Sequence, residues 1–328
     1  MTPIAVSVAL CTRNGARFLP QQVRSICTQL WLPRQIVLSD DGSTDSSVAS
    51  VRETIAQCGV AKAVELTVFE NTTPLGVTRN FEQAVRACRH ELIALSDHDD
   101  VWHPGRLARM AAHFLSRPDL LLLHTDAQLV DAQGAPLGMT LFDALEVRPA
   151  ELAAIAEGRA FDVLLRRNLV TGATAVFRRS LLEAALPFPK EWVHDEWLAA
   201  IAAATGRMDV LPEPLIDYRQ HASNQIGARR PTFAEKIAKA CAPRGSKHIE
   251  RLHRAQALLD RLQSMPDRIP DAYLQAQRGK VAHQRFRAGL PAWRPARALP
   301  VLLEALRGRY DRFGRGWHAI AQDLLERG

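Results

Sequence analysis

The densest chemistry in this 328-residue chain is Ser96-Asp97-His98-Asp99-Asp100-Val101-Trp102, set directly after the apolar run from Glu91 to Leu95. In an extended loop the side chains at i and i+2 point to one side, so Asp97 and Asp99 can share a cation or its water shell. Mg²⁺ takes one or two protein carboxylates, keeps waters and lets substrate phosphates complete its octahedron. The loop therefore reads as a seat for a divalent cation, Mg²⁺ or Mn²⁺. The plainer alternative, a solvated acidic turn that caps the next helix, leaves a third acid and a tryptophan unexplained.

A loop of this kind works only if a sheet presents it. Short β-branched runs alternate with helical patterns through the first half, as a parallel sheet with crossover helices requires. Strands are predicted over Ile4–Leu10, Gln35–Ser39, Val64–Phe69 and Glu91–Leu95, with helices over Leu19–Leu30, Ser46–Gln57 and Val77–Cys88. In open α/β sheets ligands bind outside the carboxyl ends of the strands. Two more segments fall there, Thr12-Arg13-Asn14-Gly15 and Asp40-Asp41-Gly42-Ser43-Thr44-Asp45. A carboxylate in the second can accept the imide N–H of a uracil or thymine ring; a tight turn with a helix cap explains the same residues without a ligand. Further on, a helix from Pro104 to Ser116, a strand at Leu120–His124, a hairpin turn at Asp131–Gly134, a strand at Thr171–Phe177 and an Ala-rich helix at Asp195–Thr205 make the sheet mixed.

These segments, with Val6 to Gly15 and Leu75-Gly76-Val77-Thr78-Arg79-Asn80-Phe81, resemble the family 2 glycosyltransferases of GT-A fold. Thr171-Gly172-Ala173-Thr174, His194-Asp195-Glu196-Trp197 and Tyr218-Arg219-Gln220-His221 with Asn224 and Gly227 resemble a bacterial rhamnosyltransferase-like branch. The resemblance spans about residues 4 to 227. It implies a mixed, mostly parallel central sheet flanked by helices, and transfer of a sugar from a nucleotide-diphosphate donor, dTDP-L-rhamnose first and a UDP-sugar next, to a cell-surface glycan or lipid-linked acceptor. It places Thr12, Arg13, Asn14, Asp41, Arg79 and Asp97 at the nucleotide, Asp99, Asp97 and His221 at the metal, and Asp195 as general base. Asp100, Glu196 and Arg219 would meet the substrate; Trp102 and Trp197 could lay a ring face on a sugar, with burial in the core as the equal alternative. Aromatic residues are common in the family where Arg13 stands, which leaves the base-stacking partner open. For Asp195 a plain helix N-cap is the structural alternative, and for His221 a surface hydrogen-bonder.

With 47% hydrophobic and 23% charged residues the composition is that of a globular chain. Five widely spaced cysteines without a CxxC pair argue against a disulfide framework or a zinc site. The first residues lack a basic signal-peptide start, and no run approaches the roughly 18 apolar residues of a spanning helix. A cytoplasmic enzyme is expected, either soluble or peripheral on the inner membrane face. The net charge of +7 is divided unevenly: residues 1–227 carry 21 Lys/Arg against 26 Asp/Glu, residues 228–328 carry 21 against 9. Strand signals vanish after Gly227, so the chain reads as a catalytic domain to residue 227 followed by a basic, mainly helical extension. Arginines around the apolar run Leu299–Leu306, with Trp293 and Trp317, suit an anionic membrane surface; packing on the catalytic domain or in a homo-oligomer is the alternative. No nucleic-acid-binding module is recognisable.

Overall fold

The computed structural model describes residues 4–221 and 242–327. They fall into two units: one comprises the residues up to Gly158 and those from Val170, the other Arg159–Leu169 with the C-terminal residues. The expected boundary at residue 227 lies outside the described residues, as do Asn224 and Gly227.

In the first unit, β1 (Val6–Thr12), α1 (Leu19–Cys27), β2 (Gln35–Asp40), α2 (Ser47–Gln57), β3 (Glu65–Glu70), α3 (Val77–Ala87) and β4 (Leu92–Ser96) follow the predicted alternation. The strands β1, β2 and β4 are buried at every position. Near-continuous apolar strands are what a parallel sheet covered on both faces by helices demands. The order β3-β2-β1-β4 is parallel throughout, so the chain winds outward from β1 and then returns to its other side. The reversal opens a crevice at the carboxyl ends of β1 and β4.

Beyond it come β5 (Val101–Trp102), α4 (Arg106–Ser116), β6 (Leu120–Val130), β7 (Pro136–Thr140), α5 (Leu141–Ala144) and α6 (Pro149–Ala156), then α7 (Ala160–Arg166) of the second unit. The first unit resumes with β8 (Val176–Arg178), α8 (Leu181–Ala185), α9 (His194–Thr205) and β9 (Arg207–Arg219). The sheet continues β4-β8-β6-β9-β5, mixing both pairing senses, and β7 forms the expected hairpin with β6 across Asp131–Gly134.

Two elements differ from expectation. Within Thr171–Phe177, Gly172–Thr174 is a 3₁₀ turn and only Val176–Arg178 is strand. The long β9 has no predicted counterpart, because Pro212 and Pro214 cannot donate to a ladder. The sheet accommodates them at a bulge: the register runs from Thr125↔Leu211 directly to Asp126↔Pro214.

The second unit is helical. It contains α10 (Lys247–Gln263), α11 (Asp271–Ala288), α12 (Ala298–Leu306), α13 (Arg309–Phe313) and α14 (Trp317–Leu325). Ala255, Leu259 and Val281 join α10 to α11, and Leu290, Val301, Tyr310 and Ala319 form a second apolar cluster. α7 belongs here because Phe161 stacks on Tyr273 at 4.5 Å and Lys280 Nζ donates to the Leu165 carbonyl at 2.6 Å. No helix among the described residues is long and apolar enough to cross a membrane.

Buried ion pairs hold these helices. Asp323 accepts Arg287 Nε at 2.7 Å, Arg287 Nη2 at 2.8 Å and the Tyr310 hydroxyl at 2.7 Å. Glu326 meets His248 at 2.7 Å and Lys247 at 2.6 Å. His248, Asp323 and Glu326 lie close enough together to ligate a metal, but Arg287 and Lys247 already match the two carboxylates. Removing one member of a buried pair leaves its partner's charge uncompensated, at about 3–5 kcal/mol. Asp323→Ala is therefore expected to lower stability by about that amount, read as an earlier transition in denaturant unfolding of the full chain.

Candidate active site

The loop Asp97–Asp100 leaves the carboxyl end of β4, and its far end is tied down by β5. β5 pairs antiparallel with the end of β9 through Val101↔Asp217 and Trp102↔Ile216. That pairing brings Arg219 and His221, more than a hundred residues downstream, against the acidic loop. The Arg219 backbone N–H donates to Asp100 Oδ1 at 3.1 Å and its Nε to the Asp99 carbonyl at 2.7 Å. Its Nη2 donates to Gln21 Oε1 at 2.8 Å and Nη1 to the Ala132 carbonyl at 3.1 Å. His221 Nε2 lies 2.8 Å from Asp99 Oδ2, with its ring stacked on Phe18 at 4.9 Å.

From the other side Asp195 approaches in the first turn of α9. The N-cap position belongs to Val193, so Asp195 is not the cap that a purely structural reading assigns it. Its Oδ2 instead accepts the Gly172 N–H at 2.7 Å and its Oδ1 the Glu196 N–H at 2.7 Å, which fixes the carboxylate between the Gly172 turn and the first turn of its own helix. The 3₁₀ turn at Gly172–Thr174 thus orients a charged group.

Electrostatics show that the acids share one site. Burial, then the charges of Asp99 and Asp195, push the Asp97 carboxyl up to about 8. Burial, then Asp99 and Asp97, raise Asp100 well above the usual carboxylate range. Burial raises the Tyr218 phenol, and all four acids add to the effect. The Arg219 backbone N–H and the Arg106 charge oppose the rise at Asp100 without cancelling it. The donor set, carboxylate oxygens with one imidazole, is one that Mg²⁺ or Mn²⁺ accepts, and a divalent cation would relieve the mutual repulsion. Asp99 and His221 offer such an ion a carboxylate oxygen and an imidazole nitrogen 2.8 Å apart.

Residues 7–185 match the model of glycosyl transferase family 2. The chain belongs to this family. It is 27% identical to an uncharacterized glycosyltransferase of Nostoc sp. over 72% of this chain and 71% of that protein. The fold is that of TarS 1-349 of S. aureus in complex with UDP-GlcNAc, at a TM-score of 0.55 and 16% identity over 98% of this chain and 90% of that one. It is also that of a mannosyltransferase of Pyrobaculum calidifontis in complex with GDP-Man and Mn²⁺, at a TM-score of 0.51 and 20% identity over 99% and 86%. The GT-A architecture expected from the sequence is present, with C-terminal helices after it.

The match to this glycosyltransferase family ends ahead of Asp195 and His221, so the geometry alone brings these two to the acidic loop. The loops after β1 and β2 are knitted together beside it. Asn14 donates its N–H to Ser43 Oγ at 2.7 Å and accepts Thr44 N–H at 2.9 Å. Gly15 gives its N–H to Ser47 Oγ at 2.9 Å. A Cβ on Gly15 would lie 2.4 Å from Thr12 Oγ1 and 2.7 Å from His98 Cδ2, so only glycine lets this loop touch the acidic one. Asp41 accepts Leu75 N–H at 2.6 Å and Gly76 N–H at 3.0 Å, which orients its carboxylate and starts α3. Thr12 Oγ1 is buried with no hydrogen-bond partner among the described residues. Arg13 is exposed, and Arg79 pairs with Glu82 at 3.1 Å on α3.

Four residues expected to meet substrate are buried. Trp102 is buried beneath the Arg106 guanidinium, 3.9 Å from its ring centre, and Trp197 is buried with Nε1 donating to the Ala185 carbonyl at 2.7 Å. Neither ring has a face open to a sugar. Asp100 is buried within the loop, where it accepts the Arg219 backbone N–H, and the buried Arg219 directs its guanidinium to protein acceptors. Glu196 is half-buried beside Asp195. Sequence reasoning gave no role to Arg106, whose side chain is fully buried, reaches the Ala173 carbonyl at 2.7 Å and lies near enough to feel the Asp100 charge. Its place in the first turn of α4 looks like surface, and only the tryptophan four residues earlier hints otherwise.

Arg219→Ala is expected to strip the Asp99, Asp131 and Ala132 carbonyls and Gln21 Oε1 of their donor and to cost about 3 kcal/mol in denaturant unfolding. Arg219→Lys should recover only part of that, since an ammonium cannot span the same fork.

Proposed function

We propose that the chain is an inverting, divalent-cation-dependent glycosyltransferase that uses a nucleotide-diphosphate sugar. The convergence of Asp97, Asp99 with His221, and Asp195 at the carboxyl end of β4 carries this reading, because it joins a cation seat to a separate carboxylate. A pure binding protein needs no such second carboxylate. Asp99 and His221 would hold the ion with Asp97, and when bound it supplies positive charge for the departing diphosphate.

The protein's own groups account for the rest. Thr12 Oγ1, with unused hydrogen-bonding capacity, and Asp41, held in place by two amides, stand where the nucleotide base would lie. Asp195 is placed to take the proton of an acceptor hydroxyl as that oxygen bonds to the anomeric carbon and the bond to phosphate breaks. One displacement without a protein nucleophile inverts the anomeric centre. A positioned base of this kind is worth about 10²- to 10⁴-fold.

For the donor we infer dTDP-L-rhamnose, on the resemblance of the Thr171–Thr174, His194–Trp197 and Tyr218–His221 segments to a rhamnosyltransferase-like branch. The acceptor inferred on the same ground is a bacterial cell-surface polysaccharide or lipopolysaccharide. The UDP-GlcNAc complex of TarS supports a UDP-hexose or UDP-N-acetylhexosamine as the second reading. Thermal stabilisation by dTDP-, UDP- and GDP-sugars, each with Mg²⁺, Mn²⁺ or EDTA, tests both. A cation-dependent rise in Tm with one donor is expected; no rise with any donor overturns the proposal.

Two variants sharpen it. Asp195→Asn should keep donor binding and lose turnover by about 10²-fold or more, whereas His221→Ala should weaken cation-dependent donor binding. A proton-linkage test is also available. Asp97 is raised when folded, so without cation its proton stabilises the folded chain at low pH, and that stabilisation is lost as pH rises to about 8. Stabilisation by Mg²⁺ should grow over the same interval and level off above it, and Asp97→Asn should flatten the profile.

A further inference from the structure

Helix α12 is inside out. Val301 and Glu304 are its buried side, while Leu299, Leu302, Leu303 and Leu306 are between 47% and 76% exposed. Their spacing of i, i+3, i+4 and i+7 gathers all four on one stripe. Trp293 before the helix and Trp317 at the start of α14 add two indoles at 70% and 67% exposure. Scattered surface leucines need no explanation, but a contiguous apolar stripe on a globular unit marks an interaction site.

The inversion is fixed by the fold. Glu304 accepts or faces His283 Nδ1 at 3.0 Å, Arg309 Nη1 at 3.4 Å and Arg307 Nη1 at 3.7 Å. Rolling the helix to bury its leucines would pull this carboxylate away from its partners and strand their charge.

The surrounding charge is one-sided. Arg294, Arg307, Arg312 and Arg315 are exposed, and between residues 290 and 317 the one exposed acid is Asp311. A two-fold contact between copies along this stripe would bring the same arginines of both copies together. A bilayer with anionic headgroups meets the leucines with hydrocarbon and the arginines with phosphate.

We propose that the outer stripe of α12, with Trp293 and Trp317, docks on an anionic lipid bilayer. Leucines and indoles enter the acyl boundary and the arginines hold the headgroups. This goes beyond the transferase reading and stands independently of it.

Flotation of the full chain with phosphatidylcholine vesicles, with and without phosphatidylglycerol, tests the proposal. The chain is expected to float with anionic vesicles, to bind less at high salt, and to show a blue-shifted tryptophan emission when bound. The double variant Leu302→Glu/Leu306→Glu should lose roughly a hundredfold in partitioning. Its Tm should be unchanged, because both side chains already face outward. Arg307→Ala and Arg312→Ala should each lose roughly fivefold. Absence of binding to anionic vesicles, or binding that the double leucine variant leaves intact, overturns the proposal. So does a dimer in sedimentation velocity that the same variant dissolves, which would assign the stripe to a second copy.

Discussion

The candidate site depends on one buried guanidinium. Arg219 ends β9, yet its donors reach the acidic loop after β4, the β6–β7 turn and Gln21 on α1. A flat fork with five N–H groups can bridge three separate backbone segments, and no other side chain can. Lodging it there also sets the chain direction, so that His221, two residues on, arrives at Asp99. The family resemblance reads Arg219 as a ligand contact; in the structure its donors join these segments.

Around that joint the protein maintains a charge imbalance. Burial and the charges of their acidic neighbours raise the proton affinity of Asp97 and Asp100, and Arg106, which feels the Asp100 charge, is buried against Trp102. Such an arrangement is costly in the absence of a counter-ion. The divalent cation proposed for this site would relieve that cost. The ion-pair network of the second unit is the opposite case: there Arg287 and Lys247 neutralise the acids from within.

Much of this was legible in the sequence because the first four strands obey simple rules. Their apolar runs, the Gly and Asp turns and the helical spacing between them place β1 to β4 within a residue or two, and with them the loops at Thr12, Asp41 and Asp97. What was not legible depends on partners distant in the chain. Pro212 and Pro214 hide β9, since a bulge that absorbs two prolines is a property of the β6 ladder and not of the strand itself. Trp102 and Trp197 carry no mark in the sequence to tell a sugar platform from a core filler; burial decides it. The apolar run of α12 among its arginines suggests either a membrane surface or a packing face, and only the position of Glu304 shows which residues of it face inward.

The helix α7 lies within residues 7–185, which match the family, yet its side chains serve the other unit: Phe161 rests on Tyr273, and the Leu165 carbonyl receives Lys280. The two units therefore share a single thread that crosses twice. A shortened chain ending after β9 would keep α7 and lose Tyr273 and Lys280, leaving Phe161 without its stacking partner. Fragments cut at a linear boundary should be sticky, and swapping C-terminal regions among relatives would succeed only if residues 159–169 were exchanged with them.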